Sequence, residues 1–519
     1  VSEGGARIRR VQWRLFLAAW LAFAFFHPGG GWNQNARFAM VRAVVEAGRL
    51  DVDTHLLYTG VARTPQGPLF RRSPAEDGGF QVGGRRYVLA WPAADPVPVR
   101  PAAPEESVAA LDRVAASGDL AFARGHFHPN KAPGAALLAV PAYALLRAVE
   151  RALGLDPDLW WVLTCNAWLT TALSVGLLSA LTAVLVLRAG ARLWPDHLRA
   201  ATGAAVALAF ASPFLPWATL LLEQNAAACA LLAAFLLAEQ RRFPGWAGLC
   251  AGMAVTISYL AAVPALCIVL YAAHQSPGWA GRRAWARLAL GLAAPLGALA
   301  LYHQVSFGSP LATAYAFQNP LFRDPDAWLG VFDAPRLSRL AAVLVSPFRG
   351  LFFAWPVLAL CVPGLLWTAR RRRSEALLFA AILTSGLLFC ASFQGWHGGW
   401  IVGPRYLGPA LPFVALSLIP AFARLPRTAA VLGGLSAAAT LLLTAVDVQP
   451  PVGSSAIADW PGRPQWLRDP IHEFALPVFL TGAPRPLLEA RRRAGLSNRA
   501  LDEFVGPVSA HPVGVYESW

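Results

Sequence analysis

Residues 160–188 read WWVLTCNAWLTTALSVGLLSALTAVLVLR: twenty-eight residues without a charge, closed by Arg188. A bilayer core about 30 Å thick needs about 20 apolar residues per helical crossing, so this stretch is one span. Its basic end fixes a direction, because cationic clusters collect on the cytoplasmic side. Working outward, the other arginine clusters fall between apolar runs in the same way: Arg7, Arg9, Arg10 and Arg14; Arg192 and Arg199; Arg241 and Arg242; Arg282, Arg283 and Arg287; Arg370 to Arg373; Arg424 and Arg427. Taking these as inside gives spans at 11–27, 160–187, 200–221, 225–240, 244–258, 260–274, 288–305, 351–368, 375–393, 405–423 and 428–446. The expectation is an all-α polytopic membrane protein of about eleven transmembrane helices, amino terminus cytoplasmic and carboxyl terminus extracytoplasmic.

Composition agrees. Of 519 residues, 56% are hydrophobic and only 14% charged, against about 25% charged in soluble domains. Mean hydropathy is +0.46. The chain carries 44 basic and 29 acidic residues, net +15. The inside segments hold 18 of the basic and 4 of the acidic residues, so the basicity reports orientation and no nucleic-acid partner is expected. All six cysteines fall in apolar runs and read as small buried hydrophobes without a disulfide framework.

The transmembrane domain is expected over 1–446, with a large first extracytoplasmic loop at 28–155. Residues 35–47 have helical apolar spacing and read as a surface helix. Residues 59–116 read as an insertion, with strand-like pieces at 80–82 and 86–90. The apolar stretch 133–155 cannot cross without moving the Arg188 cluster outside, so it reads as an interfacial or re-entrant helix. Residues 447–519 form an extracytoplasmic tail.

Chemistry-bearing residues concentrate outside. Asp53 and Asp119 each abut an element expected to rest on the membrane, where a carboxylate gains basicity; they are the catalytic candidates. Lys131 is the only lysine in the chain. It is either a chance survivor of an arginine-favouring composition or a site that needs a compact ammonium. His126 and His128 could form a metal pair, but no third ligand is evident, so neither metal nor other cofactor is expected. Arg349 and Arg405 lie in Gly/Pro-rich turns at span ends and, with Lys131, would make a pocket for a lipid-linked phosphate. Trp396, His397, Trp400 and Tyr406 offer faces for a sugar. Glu223 is a further outer carboxylate without a role.

Four motifs, in order, carry a resemblance: Asn33-Gln34-Asn35-Ala36-Arg37; an Asp closing the first surface helix; Gly118-Asp119 upstream of Lys131-Ala132-Pro133-Gly134; and Trp396-His397-Gly398-Gly399 with Gly403-Pro404-Arg405-Tyr406. Together they resemble a bacterial subgroup of the GT-C superfamily of polyprenyl-phosphate-sugar-dependent membrane glycosyltransferases, which includes protein O-mannosyltransferases and aminoarabinose transferases. The resemblance implies an inverting hexosyl- or pentosyltransferase of the bacterial cytoplasmic membrane. Its partners would be a polyprenyl-phosphate-linked sugar donor and an envelope lipid, glycan or protein acceptor. Asn35, Arg37, His126, His128, Lys131, Arg349, Trp396, His397, Arg405 and Tyr406 would bind substrate. The better-known members place an acidic pair directly after the first span. Here that place reads Trp32-Asn33-Gln34-Asn35, so either the acid is Asp53 or Asp119 or the chain has lost activity. Two other classes compete. A lipid-linked glycan flippase or transporter would put charges near mid-span, where this chain has almost none. A non-catalytic membrane scaffold would need no rim carboxylates.

Overall fold

The structure, a computed structural model, describes residues 3–28, 30–73, 78–82, 85–89, 100–101, 114–275, 278–319, 322, 324, 326–399, 401–449 and 469–481. It opens with α1 (Glu3–Phe25) and α2 (Trp32–Arg42), which continues as a π-helical turn to Ala47. The outer loop then forms strands β1 (Leu57–Thr64), β2 (Gly67–Ser73), β3 (Gly78–Val82), β4 (Arg85–Leu89), β5 (Arg100–Pro101) and β6 (Val114–Ala115), joined in one sheet in the order β2-β1-β6-β3-β4-β5. A separate antiparallel hairpin, β7 (Leu120–Ala123) and β8 (His126–Pro129), follows and leads directly into α3 (Gly134–Leu153).

The helical body comprises α4 (Trp160–Thr171), α5 (Leu177–Leu193), α6 (Leu198–Phe210), α7 (Phe214–Ala218), α8 (Glu223–Gln240), α9 (Pro244–Ile257), α10 (Ala262–His274) and α11 (Gly278–Phe307). After a loop come α12 (Leu337–Val345), α13 (Leu351–Ala354), α14 (Cys361–Arg371), α15 (Arg373–Ser392), α16 (Leu411–Arg424), α17 (Pro426–Val446) and α18 (Leu476–Thr481).

A π-helical turn, Ala172–Gly176, joins α4 to α5, so Trp160–Leu193 runs as one 34-residue apolar helix. By length and composition it can cross a membrane, as can Gly281–Phe307, Arg373–Ser392, Arg405–Arg424 and Pro426–Val446. Several other expected spans are built of shorter pieces. The stretch 200–221 breaks after Phe210, where Ser212 and Pro213 start a new short helix; the stretch 351–368 bends at Trp355 and resumes after the Pro356–Leu360 turn. Proline removes a backbone donor and clashes with the preceding turn, so the breaks fall where the sequence puts it.

The core is an alanine- and leucine-rich seam shared by α5, α6, α8 and α16. A second, smaller core ties the outer loop down: Met40, Val41, Leu56, Leu120, Phe127 and Tyr143 are buried together beneath α2, the hairpin and α3. α3 has one buried face, including Ala135, Ala136, Ala139 and Tyr143, while Leu145, Val149 and Leu153 are exposed. The outer loop thus departs from an all-helical reading by a six-stranded sheet, of which only two strands had a readable alternation.

Candidate active site

Six separate segments bring their polar side chains to one place. α2 contributes Arg37. The turn before β7 contributes Asp119, and the turn after β8 contributes Lys131. The first residue of α8 is Glu223. Tyr315 comes from the helical turn Ala314–Phe317 after α11, and Arg405 opens the turn Arg405–Ala410 that leads into α16. Lys131 Nζ lies 3.9 Å from an Asp119 oxygen and 5.4 Å from the centre of the Tyr315 ring. Lys131 also donates to Asn130 Oδ1 at 3.0 Å. Burial pushes its ammonium down to about 8; Asp119 opposes the shift, and Arg405 and Arg37 add to it. Those same charges all act on Tyr315, whose hydroxyl is raised first by burial.

Arg37 is buried, ion-paired with Glu223 and bonded to Asn33 Oδ1. Glu223 accepts in addition from Gln224 Nε2 at 2.9 Å. Among the described residues no carboxylate reaches ion-pair distance of Arg405. Its Nη2 donates to the Tyr406 hydroxyl at 3.4 Å, and its buried Nε has no partner. Arg349, 1% exposed, donates to the carbonyls of His397 (3.0 Å) and Gly399 (2.7 Å), and burial pushes its guanidinium down to about 9, helped by Arg405. Among the described residues Arg37, Lys131 and Arg405 therefore share this region with Asp119 and Glu223, an excess of one positive charge, and Arg349 lies beside Arg405.

Glycines permit the approach. A Cβ on Gly118 would lie 2.7 Å from the Trp32 ring, so the chain before Asp119 can press on α2 only without a side chain. Gly398 has φ +74°, and a Cβ there would meet Arg405 Cγ at 3.0 Å. His397 Nδ1 accepts from Gly399 N–H at 3.0 Å; burial, then Arg349, push its imidazole down to about 4, so it is neutral. Trp396 packs edge-on against Phe348, and Tyr406 against Phe389 and Phe393. Trp400 lies outside the described residues, as does most of the tail.

The remaining expected site residues lie elsewhere. Asp53 and His126 meet at the far end of the β7–β8 hairpin. His126 Nδ1 is 2.7 Å from Asp53 Oδ2, and Phe127 N–H donates to Asp53 Oδ1 at 2.8 Å. Burial raises the Asp53 carboxyl despite those two contacts. Arg49 grips Asp51 through Nε at 2.9 and 3.1 Å. With four-residue strands, the two ends of the hairpin are roughly 10 Å apart. His128 faces the Asp53 end: its charged neighbours are Asp51 and His126, and burial pushes it down to about 4. Asn35 is turned to the opposite side of α2, donating to Ala116 O at 2.9 Å. The expected single cluster of Asp53, Asp119 and Lys131 is therefore two clusters. Among the described residues the His126–His128 metal pair does not form; a different group lies here, ligand atoms of Asp51, Asp53 and His126 within 4.8 Å of one another, and Arg49 already supplies it with a cation.

Sequence reasoning named Glu223 without a role and gave none to Tyr315. Glu223 opens a run of three polar residues, Glu223-Gln224-Asn225, in apolar surroundings, which is a signal. Tyr315 carries none.

No protein-family model matches the chain, and no curated protein is significantly similar to it in sequence. Solved structures are similar in fold. ArnT from Cupriavidus metallidurans bound to undecaprenyl phosphate is 15% identical, with a TM-score of 0.50 over 99% of this chain and 78% of that one. The same protein in the apo state gives 15% identity and a TM-score of 0.47 over 98% and 78%. At this identity the likeness speaks to fold. The chain shares the fold of the ligand-bound structure, and it is a multi-pass helical membrane protein.

Proposed function

We propose that the chain is an inverting glycosyltransferase that moves a sugar from a polyprenyl-phosphate donor to an acceptor on the outer face of a bacterial cytoplasmic membrane. One observation carries the reading: among the described residues Arg37, Lys131 and Arg405 exceed Asp119 and Glu223 by one charge in a buried place. Buried charge is costly unless paired, so an anion completes the set. A lipid-linked phosphate suits the boundary between an apolar bundle and a polar outer loop. The ArnT structure with undecaprenyl phosphate supports that choice of anion.

Asp119 is the base on this reading. Glu223 is held by Arg37 and Gln224, and Asp53 sits at the other end of the hairpin; Asp119 has a loose pair with Lys131 at 3.9 Å. The acceptor hydroxyl or amine gives its proton to Asp119 as its oxygen or nitrogen bonds to the anomeric carbon. The bond from that carbon to the phosphate oxygen breaks on the opposite side. The polyprenyl phosphate leaves with the electron pair, and Lys131 and Arg405 stabilise the charge it gains. Arg349 acts mainly by holding the Gly-rich turn that carries His397 and abuts Arg405. Orientation follows the arginine clusters, with the amino terminus in the cytoplasm.

The test is sugar transfer from a panel of polyprenyl-phosphate sugars by wild type, Asp119→Asn and Asp53→Asn. Loss with Asp119→Asn alone is expected. Equal turnover in all three would remove the proposed base.

A further inference from the structure

α2 has two working faces. Asn33 and Arg37 are one turn apart and look toward Glu223. Asn35, Phe38, Ala39 and Arg42 lie on the opposite side of the helix, where they line a cavity of about 820 Å³ of empty space, part of it open to solvent.

The cavity has one apolar wall and polar side chains at several other points of its lining. Its apolar wall is α4, through Trp160, Leu163, Thr164, Ala167 and Thr171. The hydroxyls of Thr164 and Thr171 donate back to their own helix, at 2.8 and 2.7 Å, so this wall presents carbon. α4 is the first third of the 34-residue apolar helix, whose length and composition suit a membrane crossing. Polar side chains also line it, with Gln34 and Arg42 about 12 Å apart along α2, and His55 and Tyr58 from the following segment. Arg42 pairs with Glu46 at 2.8 Å and with Asp158 at 2.7 Å, and Arg72 reaches the same two carboxylates at 3.1 and 2.6 Å. Two cations thus meet two carboxylates, and the net charge is zero. Burial pushes the His55 imidazole below its ordinary range, against the pull of Glu46, so it adds no charge. One donor is left over. Gln34, 5% exposed, has Oε1 fixed by Gly31 N–H at 2.9 Å, and its buried Nε2 has no partner.

We propose that this cavity holds the acceptor, an uncharged, hydroxyl-bearing amphiphile of the diacylglycerol type, with its chain along α4 and its head beneath Gln34 and Tyr58. The assignment rests on the glycosyl-transfer reading and names the acceptor class for it. A phosphate-bearing head would favour the cation-rich face of α2; the charge-balanced face suits a neutral one. Ala116 on the cavity wall is three residues from Asp119, which bounds their separation at about 11 Å along the backbone.

The test uses the full chain in lipid nanodiscs with a diacylglycerol carrying a diazirine on its acyl chain; labelled residues are read by peptide mass spectrometry. The expected label falls on residues 160–171. Excess dioleoylglycerol removes it, whereas dioleoyl phosphatidic acid and undecaprenyl phosphate leave it. Gln34→Ala weakens the competition about fivefold, the loss of one hydrogen bond, and Ala167→Trp, which fills the cavity, abolishes it. Both variants keep the wild-type affinity for undecaprenyl phosphate. Labelling that no competitor removes would overturn the assignment. So would equal competition by phosphatidic acid, or wild-type labelling of both variants. Arg405→Ala reads the parent proposal separately: unchanged undecaprenyl phosphate binding there would sink the donor site while leaving the labelling result in force.

Discussion

The two ends of the β7–β8 hairpin use the same side-chain chemistry to opposite effect. At the tip, Asp51 and Asp53 meet Arg49 and His126, and every carboxylate has a close partner at 2.7 to 3.1 Å. At the base, Asp119 meets Lys131 only at 3.9 Å, and Arg405 meets no carboxylate among the described residues. The tip is a closed structure whose charges satisfy one another. The base is an open one, with cations that a folded chain would not bury for stability alone. An unbalanced charge set, more than the presence of an acid or a histidine, distinguishes a site from a scaffold here.

The comparison breaks most sharply in turnover. Asp119→Asn should lower sugar transfer by about 10³-fold, within the range of a lost general base, whereas a tip residue should not; equal losses at both ends would erase the distinction. Next in size is binding. Arg405→Ala should weaken undecaprenyl phosphate about 100-fold in a nanodisc titration, since a charged hydrogen bond contributes about 1.5–3 kcal/mol. Arg49→Ala at the tip should leave that affinity unchanged.

A smaller effect sharpens the role of the lone lysine. Burial holds its ammonium at about 8, below the usual value. As pH rises through 8, the free protein loses that charge while the phosphate, already dianionic above about 7, stays constant. Affinity for undecaprenyl phosphate should fall about fivefold between pH 7 and 9.5. Lys131→Arg should flatten the profile, because guanidinium stays charged; a profile identical to wild type would remove Lys131 from the phosphate site. The smallest effect belongs to Asp53→Asn. Burial already raises that carboxyl, and an amide oxygen can still accept from Phe127 N–H. Transfer should stay within about threefold, and stability should change by about 1 kcal/mol.

Much of the helical body was legible because apolar length and arginine clusters are direct consequences of the bilayer. Arg405 was legible as a charge beside a Gly/Pro-rich turn at a span end and Lys131 as the lone lysine, whereas Arg37 was legible only through the Asn33–Arg37 motif. The choice between Asp53 and Asp119 was not. Both are aspartates next to a membrane-lying element, and only the pairing of Leu120 with Pro129 and Ala123 with His126 puts them at opposite ends of a hairpin. Glu223 is nearly two hundred residues from Arg37 in sequence, and no local pattern links them. The sheet was half visible: β3 and β4 alternate, whereas β5 and β6 are two residues long, too short for any period.

The most direct measurement is a structure of the chain with undecaprenyl phosphate. The phosphate is predicted within hydrogen-bond reach of Lys131 Nζ and the Arg405 guanidinium, on the Asp119 side of the hairpin. A phosphate resting against Arg49 and His126, or bound away from both ends, would contradict the account.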